Sequence, residues 1–135
     1  MSVKIPASVQ EFIKGKLGWV ATASKEGMPN VAIKGSLRVW DDEHLVFADL
    51  FSLKTRKNLE ENPQVAVMVF DVEARIGYSL KGRAELLSQG PVYEQMAEVI
   101  KQHPAHFPPP KYVVLIAVDA VYNQSLGPQA GQQMA

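Results

Sequence analysis

Between Tyr78 and Leu86 the chain alternates without a break. Tyr78, Leu80, Gly82, Ala84 and Leu86 fall on one side, and Ser79, Lys81, Arg83 and Glu85 fall on the other. A period of two belongs to a strand with one buried and one wet face, and no helix can satisfy it. Further short apolar runs follow at hairpin spacing: Trp19 to Ala23, Asn30 to Trp40, Leu45 to Asp49, Val65 to Phe70 and Tyr112 to Tyr122. Lys25-Glu26-Gly27 and Asp41-Asp42-Glu43 supply turns between them. The run Val65 to Phe70 is apolar on both faces, which suits a strand inside a barrel or beneath a partner subunit. Helical spacing is confined to three short stretches. Val9, Phe12, Ile13 and Leu17 mark the first; Leu53 to Glu61 forms a basic second, stopped by Asn62-Pro63; Val92, Met96, Val99 and Ile100 line the third, which Gly90-Pro91 opens. The expected fold is mainly β with small helices, arranged as an antiparallel barrel. His103 to Pro110 reads as a proline-rich loop, and Gln124 to Ala135 as a polar tail that is either loose or folded over a site.

At 135 residues the chain is expected to form a single domain, with a core from about residue 8 to 122 and a tail over 123–135. Fourteen basic and fourteen acidic residues cancel, which argues against a polyanion such as nucleic acid as the main partner. Cysteine is absent, so disulfides, thiolate clusters and cysteine nucleophiles are excluded. Met1 to Pro6 lacks the apolar stretch of a signal peptide, and the aliphatic run Val113 to Val118 is too short to span a bilayer. The expectation is a cytoplasmic protein with no membrane partner.

The second helix carries its charge against its dipole. Lys54, Arg56 and Lys57 crowd its start, where acids are favoured, and Glu60 and Glu61 come at its far end, at a cost of about 0.3–1 kcal/mol per misplaced charge. The arrangement makes sense if an anion docks there. Backbone N–H groups, the Ser52 and Thr55 hydroxyls and the Lys54 ammonium would then converge on a phosphate. Taken alone, a basic turn is equally well a solvated face.

On the run from Asn30 to Trp40, Lys34, Ser36 and Arg38 emerge on one face, with Val31, Ile33, Gly35, Leu37 and Val39 opposite as an expected core set. The row holds two cations and a hydroxyl but no acid, and lies one hairpin from Ser52-Leu53-Lys54-Thr55, so the two sets can clamp a phosphate from both sides. Gly35 in mid-strand marks either a bend or the close approach of a ligand. Phe47-Ala48-Asp49-Leu50-Phe51 offers backbone groups along which a flat heteroaromatic ring can lie. His103 and His106 are three apart but lack a neighbouring acid or cysteine, so no metal site is expected. No side chain presents itself as a catalytic acid or base, and no dinucleotide fingerprint is present.

Gly-Trp-Val-Ala-Thr at 18–22, Gly-Met-Pro-Asn-Val at 27–31, Ser-Leu-Lys-Thr-Arg-Lys-Asn-Leu at 52–59, Asn-Pro at 62–63 and Leu-Lys-Gly-Arg-Ala at 80–84 follow one another in an order that resembles the pyridoxamine 5′-phosphate oxidase-like superfamily of FMN-binding split barrels. Within it, the small single-domain FMN-binding proteins look closest. The resemblance implies a six-stranded antiparallel Greek-key split barrel that forms a homodimer, with FMN held non-covalently at the dimer interface. By position it implies that Lys54 and Thr55 bind the phosphate, with Ser52 at the turn and Asn58 behind it. Lys34, Gly35 and Ser36 would lie on the strand contacting phosphate, ribityl chain and ring, and Ala48, Asp49, Leu50 and Phe51 along the ring edge. It implies a flavin-dependent oxidoreductase or an electron carrier with a small-molecule electron donor or acceptor. The ending Tyr122-Asn123-Gln124-Ser125-Leu126-Gly127-Pro128 lacks the tryptophan, arginine and histidine motif of the true oxidases, which speaks against vitamin B6 oxidation. Haem-binding and deazaflavin-binding proteins share the fold and form the alternative readings; a non-redox nucleic-acid-binding β-barrel using Lys34, Arg38, Lys54, Arg56 and Lys57 is a third.

Overall fold

The structure, a computed structural model, describes residues 2–135. Alternation becomes strand and amphipathic spacing becomes helix, in the order α1 (Ala7–Ile13), β1 (Gly18–Ala23), β2 (Pro29–Lys34), β3 (Arg38–Asp41), β4 (His44–Asp49), α2 (Lys54–Glu61), β5 (Gln64–Asp71), β6 (Ile76–Leu87), α3 (Pro91–Lys101) and β7 (Tyr112–Asn123). All described strand pairings are antiparallel, and the seven strands form one sheet in the order β2-β1-β5-β6-β7-β4-β3. β4 is joined through α2 to β5 yet pairs with β7, the long return of a Greek key. β2 and β3 stand at the two ends of this order, so the sheet curls but does not close.

Two expectations are corrected here. The strand read from Asn30 to Trp40 is two strands broken at Gly35-Ser36-Leu37, so seven strands replace the six of the barrel implied by resemblance. The break also reverses the faces. In β2, Ala32 and Lys34 point the same way as the buried Val20 and Thr22 of β1, and Val31 and Ile33 point outward, 61% and 49% exposed. Beyond the corner, Leu37 turns inward and is buried, so the supposed core set lies on two sides of the sheet.

The main core fills the concave side of the sheet. Val20, Leu45, Phe47, Val65, Val67, Val69, Leu80, Ile116 and Val118 meet there, with Val9 and Ile13 of α1 and Leu59 of α2 closing the ends. α3 lies on the other side of β4 and β7, where Met96 and Ile100 pack on Val46, Ala48 and Val113. β4 is therefore covered on both faces, which makes its C-terminal end a rigid base for the turn into α2. Residues 131–135 double back along β7 rather than hanging free: Gly131 N–H donates to Asn123 O at 2.6 Å and Met134 N–H to Val121 O at 2.7 Å. No helix among the described residues is long and apolar enough to cross a membrane.

Candidate functional site

The corner between β2 and β3 is fastened to the end of β4 by one side chain. Ser36 Oγ accepts the Ala48 N–H at 2.9 Å, extending the ladder where backbone pairing has stopped. This contact brings Lys34, Gly35 and Ser36 against Ala48, Leu50, Phe51 and Ser52, and together they line a cleft of about 560 Å3. Arg38 also lines it, and among the described residues no carboxylate does. Ala32 and Ile33 of β2 also line it, and Val99 and Ile100 of α3, with His103 and Phe107 of the following loop, complete the wall. Sequence reasoning missed these last four as site residues. Their pairing with β4 comes from long-range packing; the only local signal was an α3 face broad enough to include Val99 next to Ile100.

α2 begins where the cleft ends. Leu53 occupies its N-cap position without a side-chain cap, and the first turn holds no acid. The hydroxyls of Ser52 and Thr55 are buried and have no hydrogen-bond partner. Such atoms are costly to leave unpaired, and two at an uncapped helix start make a receptor for an oxyanion. Lys54 is exposed at the same turn. Asp49 is buried beneath it, and its Oδ1 accepts the Ser52 N–H at 3.2 Å, so its carboxylate shapes the turn. Asn58 is also buried and donates from Nδ2 to Thr22 Oγ1 at 3.0 Å, tying α2 to β1. Of the eleven residues expected at the site, seven line the cleft; Asp49, Lys54, Thr55 and Asn58 stand beside it, in the turn or in α2.

Burial holds the Lys34 ammonium below the ordinary lysine range, and the Asp49 carboxylate only partly offsets that penalty. Its Nζ lies 5.5 Å from the centre of the buried Phe47 ring. A cation kept partly dehydrated in the wall of a cleft lined by no acid is well placed to meet an anion.

The family model for pyridoxamine 5′-phosphate oxidase matches residues 5–125. The chain belongs to the pyridoxamine 5′-phosphate oxidase family. An uncharacterised protein of Methanocaldococcus jannaschii is 35% identical over 135 residues, covering 98% of this chain and 89% of that protein. The crystal structure of HupZ from Group A Streptococcus superposes with a TM-score of 0.83 at 31% identity, covering 94% of this chain and 99% of HupZ. An FMN-binding protein from Syntrophomonas wolfei shares the fold, with a TM-score of 0.69 at 18% identity over 89% of this chain and 84% of that one. The mainly β architecture expected of this family is thus the observed one, with the open seven-stranded sheet as its form here.

Proposed function

We propose that this family member is a flavoprotein that holds FMN non-covalently and acts as an oxidoreductase or electron carrier in the cytoplasm. The observation that carries the reading is the pair of buried, unpartnered hydroxyls of Ser52 and Thr55 at the uncapped, acid-free start of α2. A phosphate dianion needs several N–H and hydroxyl donors and a cation, and this turn offers all three with Lys54. The cleft leading from it has the apolar walls and few polar groups that suit a flat ring.

FMN, when bound, supplies the redox chemistry. The chain's part is to anchor and orient. The α2 turn fixes the phosphate, Lys34 lends it charge from the cleft wall, and the Ser36–Ala48 link holds the two walls at a set spacing. No side chain is assigned a catalytic proton transfer. A homodimer fits the outward apolar groups of β1 and β2: Trp19, 44% exposed, pairs with Ile33, and both face away from the core. His103 at the cleft mouth favours haem as the second reading.

The absorption spectrum of the purified protein, followed by titration, is the test. Two flavin bands, or one FMN bound per subunit, is the expected result; a single intense haem band would replace the reading. Lys54→Ala and Thr55→Val should each weaken FMN binding tenfold or more, about 1.4 kcal/mol, and leave riboflavin binding nearly unchanged. Equal loss for both ligands in folded variants would remove the phosphate assignment.

A further inference from the structure

We propose that the face around the start of α2 is a docking surface for an acidic electron-transfer protein. Two large apolar side chains stand out from it. Phe51 is 71% exposed and Leu53 is 74% exposed, on either side of Ser52, whose own hydroxyl is buried. Cations surround this pair. Lys54 and Lys57 are exposed on α2, and the half-buried Arg56 holds its guanidinium 5.9 Å from the centre of the Tyr112 ring. Lys111 is exposed next to Tyr112, and its N–H donates to Asp49 O at 3.1 Å, which seats it at the same turn. Lys34 and Arg38 come from the β2–β3 corner, along the cleft that Phe51 also lines.

The chain has no net charge, so this clustering is local. The ion pairs among the described residues lie elsewhere: Lys4–Asp42, Lys14–Glu11, His44–Asp41 and Arg83–Asp119. The carboxylate at this turn, Asp49, is only 2% exposed, and Glu60 and Glu61 stand at the far end of α2. A bound phosphate dianion balances two of the six charges, those of Lys34 and Lys54. Arg38, Arg56, Lys57 and Lys111 are left over.

An apolar centre inside a charged rim is the anatomy of a protein–protein contact. Cations alone would suit a nucleic acid, but Leu53 offers no face for a base to stack on, and a row of aromatic rings is missing here. A basic rim selects an acidic partner. Phe51 also meets Phe107 edge-on at 6.2 Å between centroids, and both rings line the cleft, so a protein seated on Phe51 touches the cleft wall. That position is the ground for an electron-transfer partner, and this part rests on the flavin reading. The docking face rests on the cations and the exposed pair alone.

The test is calorimetric titration of FMN-saturated protein with a plant-type ferredoxin, a small and strongly acidic electron carrier, with amide shifts to map the contact. Binding should weaken about tenfold as salt rises from about 50 to about 200 mM, and shifts should centre on residues 51–57 and 111. Phe51→Ser and the double variant Arg56→Glu/Lys57→Glu should each weaken binding about tenfold, whereas Lys14→Glu at the end of α1 should not change it. Acids in the first turns of α2 favour its dipole, so the double variant is expected to fold, and circular dichroism checks this. No binding at low salt, an equal loss in Lys14→Glu, or unchanged affinity in folded Phe51→Ser overturns the proposal. So does tighter binding to a single-stranded oligonucleotide or to phosphatidylserine vesicles than to ferredoxin. A shift from dimer to monomer in Phe51→Ser also overturns it, because the face would then belong to a second copy. If the wild type takes up no FMN, the flavin reading fails separately, and the same titrations on flavin-free protein still decide the docking face.

Discussion

Lys34 is the residue at which folding and binding pull in opposite directions. Its folded pKa lies below its unfolded one, so between the two values the folded chain carries fewer protons. The penalty is therefore full below the folded pKa and is relieved as pH rises through the unfolded value. A phosphate beside the ammonium would favour its charged form and oppose this shift. FMN affinity should accordingly fall as pH is raised from neutral into the alkaline range, beginning earlier than for an unperturbed lysine, with no matching fall for riboflavin. Fluorescence titrations at several pH values check this. Lys34→Met should lose the phosphate-specific fall and be no less stable at neutral pH by denaturant unfolding. Gly35, next along the corner, separates protein from ligand more sharply. A Cβ placed there would make only an ordinary contact, 3.7 Å from Leu17 Cδ2. Gly35→Ala should thus change stability by less than about 0.5 kcal/mol, yet weaken FMN roughly tenfold if the ring backs onto this corner. Unaltered FMN affinity would place the ring elsewhere in the cleft.

Among the elements, β6 shows how much of the fold its own alternation dictated. Its inward row was legible because one buried face enforces a period of two, and Leu80 is indeed in the core. The register shift at Lys81/Gly82 was not legible. There Gly82 pairs with Val118 and Lys81 with Ala120, leaving Asp119 as the extra residue on β7, and its carboxylate meets Arg83 at 3.2 Å. A Cβ on Gly82 would run into the Ala117 carbonyl, which backbone pairing prevents from yielding. Gly82→Ala should cost about 1–3 kcal/mol, read as a lower denaturation midpoint with little change in slope. The corner at 35–37 escaped the sequence for a related reason. Alternation runs through Gly35 without a change of period, and the turn is fixed by Ser36 reaching Ala48, twelve residues away. The charge pattern of α2, by contrast, is local, so the oxyanion turn could be read from Ser52 to Lys57 directly. The wall made by α3 and its loop could not, since nothing near His103 or Phe107 in the chain names β4 as their neighbour.

For the whole molecule, the informative surface is the convex side of β1 and β2. Trp19, Val31 and Ile33 are exposed there without a covering layer, beside Leu17 at 55% exposure. Large apolar groups grouped on one face mark a contact surface. Sedimentation should show a dimer, and Val31→Glu, on the same outward face but outside the cleft lining, should shift it to monomer and weaken FMN if the partner helps to enclose the ring. A monomer that binds FMN as tightly as the wild type would separate assembly from cofactor binding.

The opposite side of the sheet carries a quieter dependence. Past the end of β4, the edge of β7 would present bare amides and carbonyls, and two short segments cover it: Val3 N–H donates to Val118 O at 2.8 Å, and residues 131–135 take Val121 and Asn123. Most of 127–134 is solvent-exposed, so this cover is held mainly by backbone hydrogen bonds. A bare edge is a template for any passing strand. Each time residues 131–135 peel away, the far end of β7 joins the outer strands β2 and β3 as an edge on which a foreign strand can pair.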